Sequence, residues 1–241
     1  MVEGRRPPAT NRLLAALPDR ERHRCLGRCE TLELTSGNVI AKPGKRIRAV
    51  YFPTGSAIGL RAPHGARAEL GVALVGAEGM VGMSLILGVS VSPLMASVQG
   101  SGPALRMDAT SFRHELERSQ TMRRTLNRYV HVAMEQLVRS VVCSQFHRVE
   151  ARLARWLLMM QDRMFSNELH ATHDFLAEVL GVRRVGVTVA ATSLQNRGLI
   201  GYRRGDITIF DRGGLRAASC GCYEGDSSDY ERTVGRRRQL A

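Results

Sequence analysis

The sequence predicts an α+β protein: an N-terminal β-roll of the jelly-roll type, then a long helix, then a C-terminal winged helix-turn-helix. Three observations carry this prediction. Residues 30–107 hold short apolar runs separated by Gly and Pro, which is typical of a β-sandwich or jelly roll. Residues 119–145 keep apolar residues at heptad-like spacing, and residues 172–210 hold two helical segments split by a glycine and followed by a hairpin pattern.

The composition favours a globular protein with a polyanionic partner. The 241 residues suit one large or two small domains, and 44% of them are apolar. The formal net charge is +13, nearly all from Arg, since Lys occurs only at positions 42 and 45. An excess of positive charge favours nucleic acid or an anionic surface. The odd number of cysteines and the lack of a signal peptide pattern predict a reducing, cytoplasmic location for Cys25, Cys29, Cys143, Cys220 and Cys222.

The N-terminal part begins with a predicted flexible tail over residues 1–11 and a short amphipathic helix from Asn11 to Leu17. The strand-rich segment that follows contains one stretch, Gly79 to Leu105, without a charged side chain. Its apolar centre is too short for a membrane-spanning helix, so we expect buried strand and loop and no membrane partner. Asp108 is a predicted N-cap for a short helix that ends near Arg118.

The helix predicted over residues 119–145 carries an apolar seam whose members recur at alternating steps of four and three. Such a seam favours a parallel coiled-coil dimer. The alternative is a single buried face packed against the same chain. The seam consists of Leu126, Val130, Ala133 and Leu137 and continues to Ser140 or Val141.

The last predicted unit is centred on residues 172–200. Thr172 is a candidate N-cap, and Gly181 supplies the turn between two apolar-periodic runs. Five Arg and no acidic residue lie between Gly181 and Gly205, which indicates a DNA-binding helix-turn-helix. The alternative is a packed helical hairpin with a solvated basic face. The sequence predicts a helix over residues 147–164 beneath this pair, a wing with an Arg204-Gly205 turn, and a short helix over residues 211–218.

In this order of elements, the chain resembles the Crp/Fnr superfamily of bacterial transcription regulators. The resemblance covers residues 12–223 and rests on VYFPTG at 50–55, GAEGMVG at 76–82, VEARLARWLL at 149–158 and the 172–200 unit. It implies an effector domain (12–118), a dimerisation helix (119–145) and a DNA-binding domain (146–223). Residues 224–241 are polar and charged, which predicts a disordered tail. The resemblance also implies double-stranded DNA, a second copy of the chain and RNA polymerase as partners.

The sequence departs from the cyclic-nucleotide-binding members of that family at the effector site. Those members hold the ribose with a Glu and the cyclic phosphate with an Arg-Ser pair. The matching positions lie in the charge-free stretch, where a buried phosphate would find no cationic side chain. We therefore do not expect cyclic AMP as the effector, and its identity stays open. The candidate pocket residues are Gly82, Met83, Ser84, Leu94 and Met95.

A second departure concerns the recognition helix. Many family members carry a Glu and an Arg one turn apart, where this sequence has Val185 and Val189. A valine contacts a thymine methyl, whereas Arg pairs with guanine O6 and N7. We therefore expect an operator that differs from those of better-known members. The predicted DNA-binding residues are Arg183, Arg184, Val185, Thr188, Arg203 and Arg204.

The remaining chemistry-bearing residues predict neither a cofactor nor an enzyme. Cys25, Cys29 and Cys143 are one short of the four ligands that an iron–sulfur cluster needs, and we expect free or buried thiols. His170 and His173 flank the N-cap of the helix-turn-helix and are not expected to bind a metal. No G-x-S-x-G, phosphate-loop or paired-carboxylate pattern occurs. The alternative function is a ligand- or redox-sensing module that acts mainly through a protein partner.

Overall fold

The computed structural model describes residues 11–64 and 68–235. Its N-terminal half is a roll of two antiparallel sheets, with strand orders β1-β7-β3 and β2-β6-β4-β5. A 3₁₀ helix over Met83–Leu87 connects β5 to β6. The strands are β1 (Glu30–Leu34), β2 (Val39–Ala41), β3 (Ala49–Pro53), β4 (Ala57–His64), β5 (Ala68–Val75), β6 (Met95–Gly100) and β7 (Gly102–Asp108). The predicted roll is therefore confirmed.

The roll has apolar layers on both faces of its smaller sheet. Inside the roll, the two sheets share a core that includes Ile58, Val75 and Val98. On the other face of β3 and β7, Phe52 and Met107 pack against helices and are fully buried. This sheet is therefore covered twice, which explains why AVYFP shows no alternation of apolar and polar residues.

Two short helices precede the roll, α1 (Arg12–Ala15) and α2 (Asp19–Leu26). The side-chain Oδ1 of Asn11 caps α1, while its Nδ2 donates to the backbone oxygens of Pro53 (2.9 Å) and Gly79 (2.8 Å). The sequence-based analysis missed α2, whose apolar positions are few. Its Arg24 pairs with the fully buried Glu115 at 2.8 Å, so α2 is held by charge as well as by packing.

The helices α3 (Ala109–Arg118) and α4 (Gln120–Phe146) follow the roll, and Asp108 caps α3 as predicted. Most of the predicted seam on α4 packs within this chain, which was the alternative, and only its end at Val141 is exposed. Leu126 and Ala133 are buried within this chain, and Val130 packs half-buried against the same core. That apolar face is already covered by the chain's own roll, so it is not available to a second copy. Leu137, the fourth seam residue, is half-buried and lines a cavity.

A different row on α4 is exposed and apolar. Its members recur at steps of four, three, one and four residues, which is the spacing of a helical stripe. It lies one residue further along the chain than the predicted seam, which corresponds to a rotation of about 100° around the helix. The exposed row consists of Met134, Val138, Val141, Val142 and Phe146.

The C-terminal half is a winged helix-turn-helix, as predicted. Its helices are α5 (Val149–Met164), α6 (His173–Leu180), α7 (Arg184–Asn196) and α8 (Arg212–Ala218). The wing is a three-stranded sheet of order β8-β10-β9, with β8 (Glu168–His170), β9 (Ile200–Arg203) and β10 (Asp206–Ile209). β8 was not predicted. The single Trp, Trp156 on α5, packs edge-on against Phe175 of α6 with ring centroids 6.1 Å apart.

This half packs directly against the roll. The core around α5 continues into Leu74 of β5, and α6 lies on β5 where Gly71 approaches Val179 closely. Arg163 of α5 forms a nearly buried ion pair with Glu78, at 2.6 Å. The two halves of the chain therefore share an apolar and charged contact.

The expectation of a disordered tail is wrong for residues 224–235. They continue α9 (Cys222–Tyr230) and a π-helical turn over Glu231–Gly235. Buried Asp226 pairs with Arg155 at 2.6 Å and with Arg139 at 3.1 Å, while Tyr230 enters the core beneath the roll. Paired charges and one aromatic anchor order this polar segment. Residues 236–241 and the predicted tail over 1–10 lie outside the described residues.

Within the described ranges, no helix has both the length and the apolarity needed to cross a membrane.

Candidate nucleic-acid interface

The angle between α6 and α7 is set by local signals at the turn. Thr172 Oγ1 accepts from the Phe175 amide at 3.2 Å and caps α6, as predicted. Gly181 ends α6 with a φ of 63°, and the Val182 amide donates back to the Ala177 carbonyl at 3.0 Å. A left-handed residue at this position favours glycine because a Cβ would be strained there. α7 then begins at once, with Arg183 at its N-cap.

α7 has one buried and one exposed face. Its buried side chains, Val187, Ala190, Ala191 and Leu194, pack into the core of the C-terminal half. The opposite face begins with Arg184 and carries Val185 and Val189, whose exposed fractions are 72% and 68%. Two large apolar side chains that remain in solvent at the start of a helix indicate a surface that contacts something else.

The polar side chains of this face are held by neighbours on α6. Arg184 Nε lies 3.1 Å from Asp174 Oδ1, although both side chains are largely exposed. Thr188 Oγ1 lies 3.0 Å from His173 Nδ1 and donates to the Arg184 carbonyl at 3.2 Å. The side chains of Arg184 and Thr188 are therefore held in place by contacts within the chain itself.

His173 joins α7 to the wing. Its ring lies on that of Tyr202 in β9, with centroids 4.4 Å apart. Partial burial lowers the pKa of His173 below 6.5, and the nearby Arg184 guanidinium lowers it further. Burial raises the pKa of Tyr202, whose hydroxyl donates to the Ala171 carbonyl at 2.8 Å. The imidazole is therefore neutral near pH 7.

The wing ends in the predicted Arg204-Gly205 turn. Both residues have positive φ, 52° and 95°, which is the geometry of a tight two-residue hairpin turn. Arg203 and Arg204 are exposed at this tip. The six predicted DNA-binding residues, Arg183, Arg184, Val185, Thr188, Arg203 and Arg204, are all exposed: four at the start of α7 and two at the wing.

The sequence profile of the Crp-like helix-turn-helix domain matches residues 151–218. The chain carries a Crp-like helix-turn-helix domain. That match spans α5 to α8 and ends before α9. A comparison with curated protein sequences finds no match.

Solved structures with the Crp/Fnr fold resemble the chain over most of its length. A regulator of the Crp/Fnr family from Eubacterium rectale has a TM-score of 0.67 at 17% identity, over 86% of this chain and 96% of its own. FixK2 from Bradyrhizobium japonicum has a TM-score of 0.67 at 14% identity, over 80% and 98%. A Crp/Fnr regulator from Thermus thermophilus reaches 0.60 at 22% identity, over 79% and 98%. The resemblance expected from the sequence is confirmed.

The predicted effector residues of this Crp/Fnr fold do not form one pocket. Gly82 lines a cleft of about 380 Å³, whereas Ser84 lines a shallower one. Leu94 packs against the interior of the roll, Met83 packs towards the helices, and Met95 begins β6.

The cleft lined by Gly82 carries charge, although the stretch from Gly79 to Leu105 has no charged side chain. Cationic side chains from the loop between β2 and β3 and from β7 line it: Lys42, Lys45, Arg46, Arg48 and Arg106.

The cysteines considered for an iron–sulfur cluster do not converge. Cys25 is buried in the core beneath the roll, where its Sγ lies 3.6 Å from Met122 Sδ, and Cys29 packs beside that core. Cys143 lies instead with Cys220 and Cys222, at the far end of α4. The sequence-based analysis missed this second group because α8 and the start of α9 bring its members together across 77 residues of chain.

Proposed function

We propose that this chain is a transcription regulator of the Crp/Fnr type that binds a palindromic operator as a homodimer. The observation that carries the proposal is the exposed face at the start of α7, where cationic, hydroxyl and apolar side chains lie at the surface above a buried core. A helix with such a face suits the major groove of B-DNA, and an Arg-tipped wing suits the phosphate backbone.

In this proposal, the exposed residues of α7 contact base edges, and the wing contacts phosphates and so positions the protein on the DNA. Arg184 forms a bidentate pair with a guanine, and Val185 and Val189 contact thymine methyl groups. Arg183, Arg203 and Arg204 bind phosphates, which gives affinity without sequence preference. Thr188 contacts a base edge or phosphate beside Arg184. RNA polymerase is the expected protein partner of the assembled complex.

The exposed row on α4 supports the dimer. Val138 is 65% exposed and Phe146 is 79% exposed on a helix whose other face is buried in the chain's own core. Apolar residues at this spacing pair efficiently with the same row of a second copy. A two-fold axis along α4 would give two recognition helices ~34 Å apart, which matches successive major grooves.

The effector site is the third part of the proposal. Met83, Ser84, Leu94 and Met95 offer no cationic side chain where cyclic-nucleotide-binding relatives hold the phosphate, so cyclic AMP is not bound in that manner. The cations that line the neighbouring cleft come from β7 and from the loop between β2 and β3. An anionic ligand that enters there would therefore meet a differently arranged site.

The DNA-binding test compares three single substitutions on an operator identified by genome-wide footprinting. Arg184→Ala should weaken binding by about 1–3 kcal/mol and relax discrimination at one base position. Arg204→Ala should weaken matched and mismatched sites equally and reduce the salt slope by about one unit. Arg216→Ala is the matched control, because it removes one exposed Arg from α8 while leaving the interface intact.

Fluorescence anisotropy at two salt concentrations separates these effects. Equal losses for Arg184→Ala and Arg216→Ala would refute the assigned interface. A wild-type protein without any salt-dependent footprint would refute DNA binding itself and favour a sensing module that acts through a protein partner.

The dimer test uses Val138→Arg and light scattering. A charge in the exposed row should shift the protein towards monomer, whereas the same change at Val39, an exposed apolar residue on β2, should not. A dimer that persists in Val138→Arg would refute the rotated seam.

A further inference from the structure

A cluster of four metal-ligating side chains lies where the long helix meets the C-terminal segment. It consists of Cys143, His147, Cys220 and Cys222, whose ligand atoms all lie within 4.8 Å of one another. Cys143 Sγ is 3.6 Å from Cys220 Sγ, and Cys222 Sγ is 3.7 Å from His147 Nδ1. The three cysteines are buried and the histidine is half-buried.

These separations suit a single tetrahedral ion. Zn²⁺ binds thiolates at about 2.3 Å and imidazole at about 2.0–2.1 Å, so neighbouring ligand atoms of a tetrahedral site lie about 3.4–3.8 Å apart. The Cys143–Cys220 and Cys222–His147 distances fall in that range, and the other pairs of ligand atoms need only a small contraction. Three cysteines and one histidine are also a complete ligand set for a structural zinc site, with no position left for water.

The surroundings suit an anionic centre. Three thiolates and one Zn²⁺ carry a net charge of −1, which needs a nearby cation when it is buried. The buried Arg155 interacts electrostatically with all three cysteines of the cluster. Its Nη2 is held by Asp226, but its buried Nε lacks a partner among the residues that the structure describes.

The position of the cluster gives it a structural role. His147 is the residue at which α4 ends and the chain turns into α5, with φ −109° and ψ 143°. Cys220 and Cys222 join α8 to α9, beyond the residues that match the Crp-like domain. One ion would therefore connect the end of α4, the connection to the DNA-binding half and the C-terminal helix.

We propose that Cys143, His147, Cys220 and Cys222 form a mononuclear zinc site that fixes the junction between the long helix, the DNA-binding half and α9. Binding requires that the three thiols lose their protons to solvent as the ion enters. No electron transfer takes place when the ion binds, so this is a structural zinc site and not a redox site.

The test begins with the full-length protein, purified under reducing conditions without added chelator. Elemental analysis should find about one zinc per chain. After removal of zinc, one equivalent of Co²⁺ should give the strong visible bands of tetrahedral thiolate coordination, and added Zn²⁺ should abolish them. The metal-free protein should melt at a lower temperature because the ion binds only the folded arrangement.

Three variants locate the ion. Cys222→Ser should lose most of the zinc, whereas Cys222→His should retain it with a shifted Co²⁺ spectrum, since imidazole replaces a thiolate. Cys29→Ser is the matched control and should keep one zinc per chain, because Cys29 lies in the other half of the protein. Circular dichroism of each variant checks that the fold persists.

Several results would overturn the proposal. One is wild-type protein that retains no zinc and gives no tetrahedral Co²⁺ bands. A second is equal zinc in Cys222→Ser and the wild type. Isolation with a Cys143–Cys220 disulfide, or with the visible absorption and sulfide content of an iron–sulfur cluster, would also contradict a mononuclear zinc site.

Discussion

Removal of the Asp226 carboxylate should destabilise the DNA-binding half far more than its position near the end of the chain suggests. Asp226 lies on α9 and is only 6% exposed. Its Oδ2 accepts from Arg155 Nη2 at 2.6 Å, and its Oδ1 lies 3.1 Å from Arg139 Nε. Asp226→Ala leaves both guanidinium groups without this carboxylate and keeps them in the same apolar surroundings.

The expected cost follows from how each Arg is compensated. Arg139 keeps Asp229 as a second partner and its side chain is 28% exposed, so it contributes little. The Arg155 side chain is only 11% exposed and pairs with no other carboxylate in the described part of the chain. Removal of one partner of a buried ion pair costs about 3–5 kcal/mol. Because one of the two cations remains paired, we expect about 3 kcal/mol.

Urea unfolding followed by Trp156 fluorescence measures this cost, because the single Trp lies in the core of the DNA-binding half. The experiment is done with metal removed, so that loss of an ion does not contribute. Glu224→Ala on the same helix is the control: its pair with Arg216 is about 60% exposed and should be worth about 0–1 kcal/mol. A cost for Asp226→Ala as small as that of Glu224→Ala would refute the buried-pair argument. An added Arg155→Met should recover part of the loss.

Three further predictions concern packing, pH and the effector. Gly71→Ala should destabilise the protein by about 1–3 kcal/mol, because the new Cβ would lie 2.6 Å from the Val179 carbonyl oxygen. Gly186→Ala inside α7 places its Cβ 3.9 Å from Val149 Cγ2, an ordinary contact, and should stabilise the protein by about 0.5–1 kcal/mol. Urea midpoints check both substitutions. The pKa of His173 is lower in the folded protein than the 6.5 of an unfolded chain, so the unfolded state binds more protons in mild acid. The free energy of unfolding should therefore be unaffected by His173 above pH 6.5 and should fall as the pH drops below it. The fall should be smaller in His173→Gln. Calorimetry should detect no micromolar cyclic AMP binding, and a clear saturable heat would contradict the effector argument.

The sequence predicted the helix-turn-helix well because its signals are local. The Thr172 side chain caps its helix by accepting from the backbone amide three residues further on, Gly181 provides a left-handed turn, and Arg204 with Gly205 makes a two-residue hairpin turn. Each of these depends on one or two backbone positions, so neighbouring residues suffice to recognise it. The exposed face of α7 could be predicted from helical periodicity alone, because it lies opposite the apolar face.

The α4 seam failed for the opposite reason. A long helix with two apolar stripes gives no local indication of which stripe meets the chain's own roll and which remains exposed. Leu126 belongs to one apolar stripe of α4 and Val138 to the other. The tertiary structure buries Leu126 and leaves Val138 exposed, and the spacing along the helix does not distinguish the two. The cysteine cluster was missed likewise, because Cys143 and Cys220 are 77 residues apart and His147 shows no motif with either.

The polar C-terminal segment shows how charge replaces apolar content as an ordering force. Residues 224–235 lack the apolar pattern that predicts a helix, yet Asp226 binds arginines of α4 and α5 while Tyr230 packs beneath the roll. α9 therefore contacts both halves of the chain and the helix between them. A rotation of the DNA-binding half relative to the roll would break the Asp226 pairs, the Arg163–Glu78 pair and the α6–β5 packing together. Such a rotation therefore needs a source of free energy that offsets the sum of these contacts.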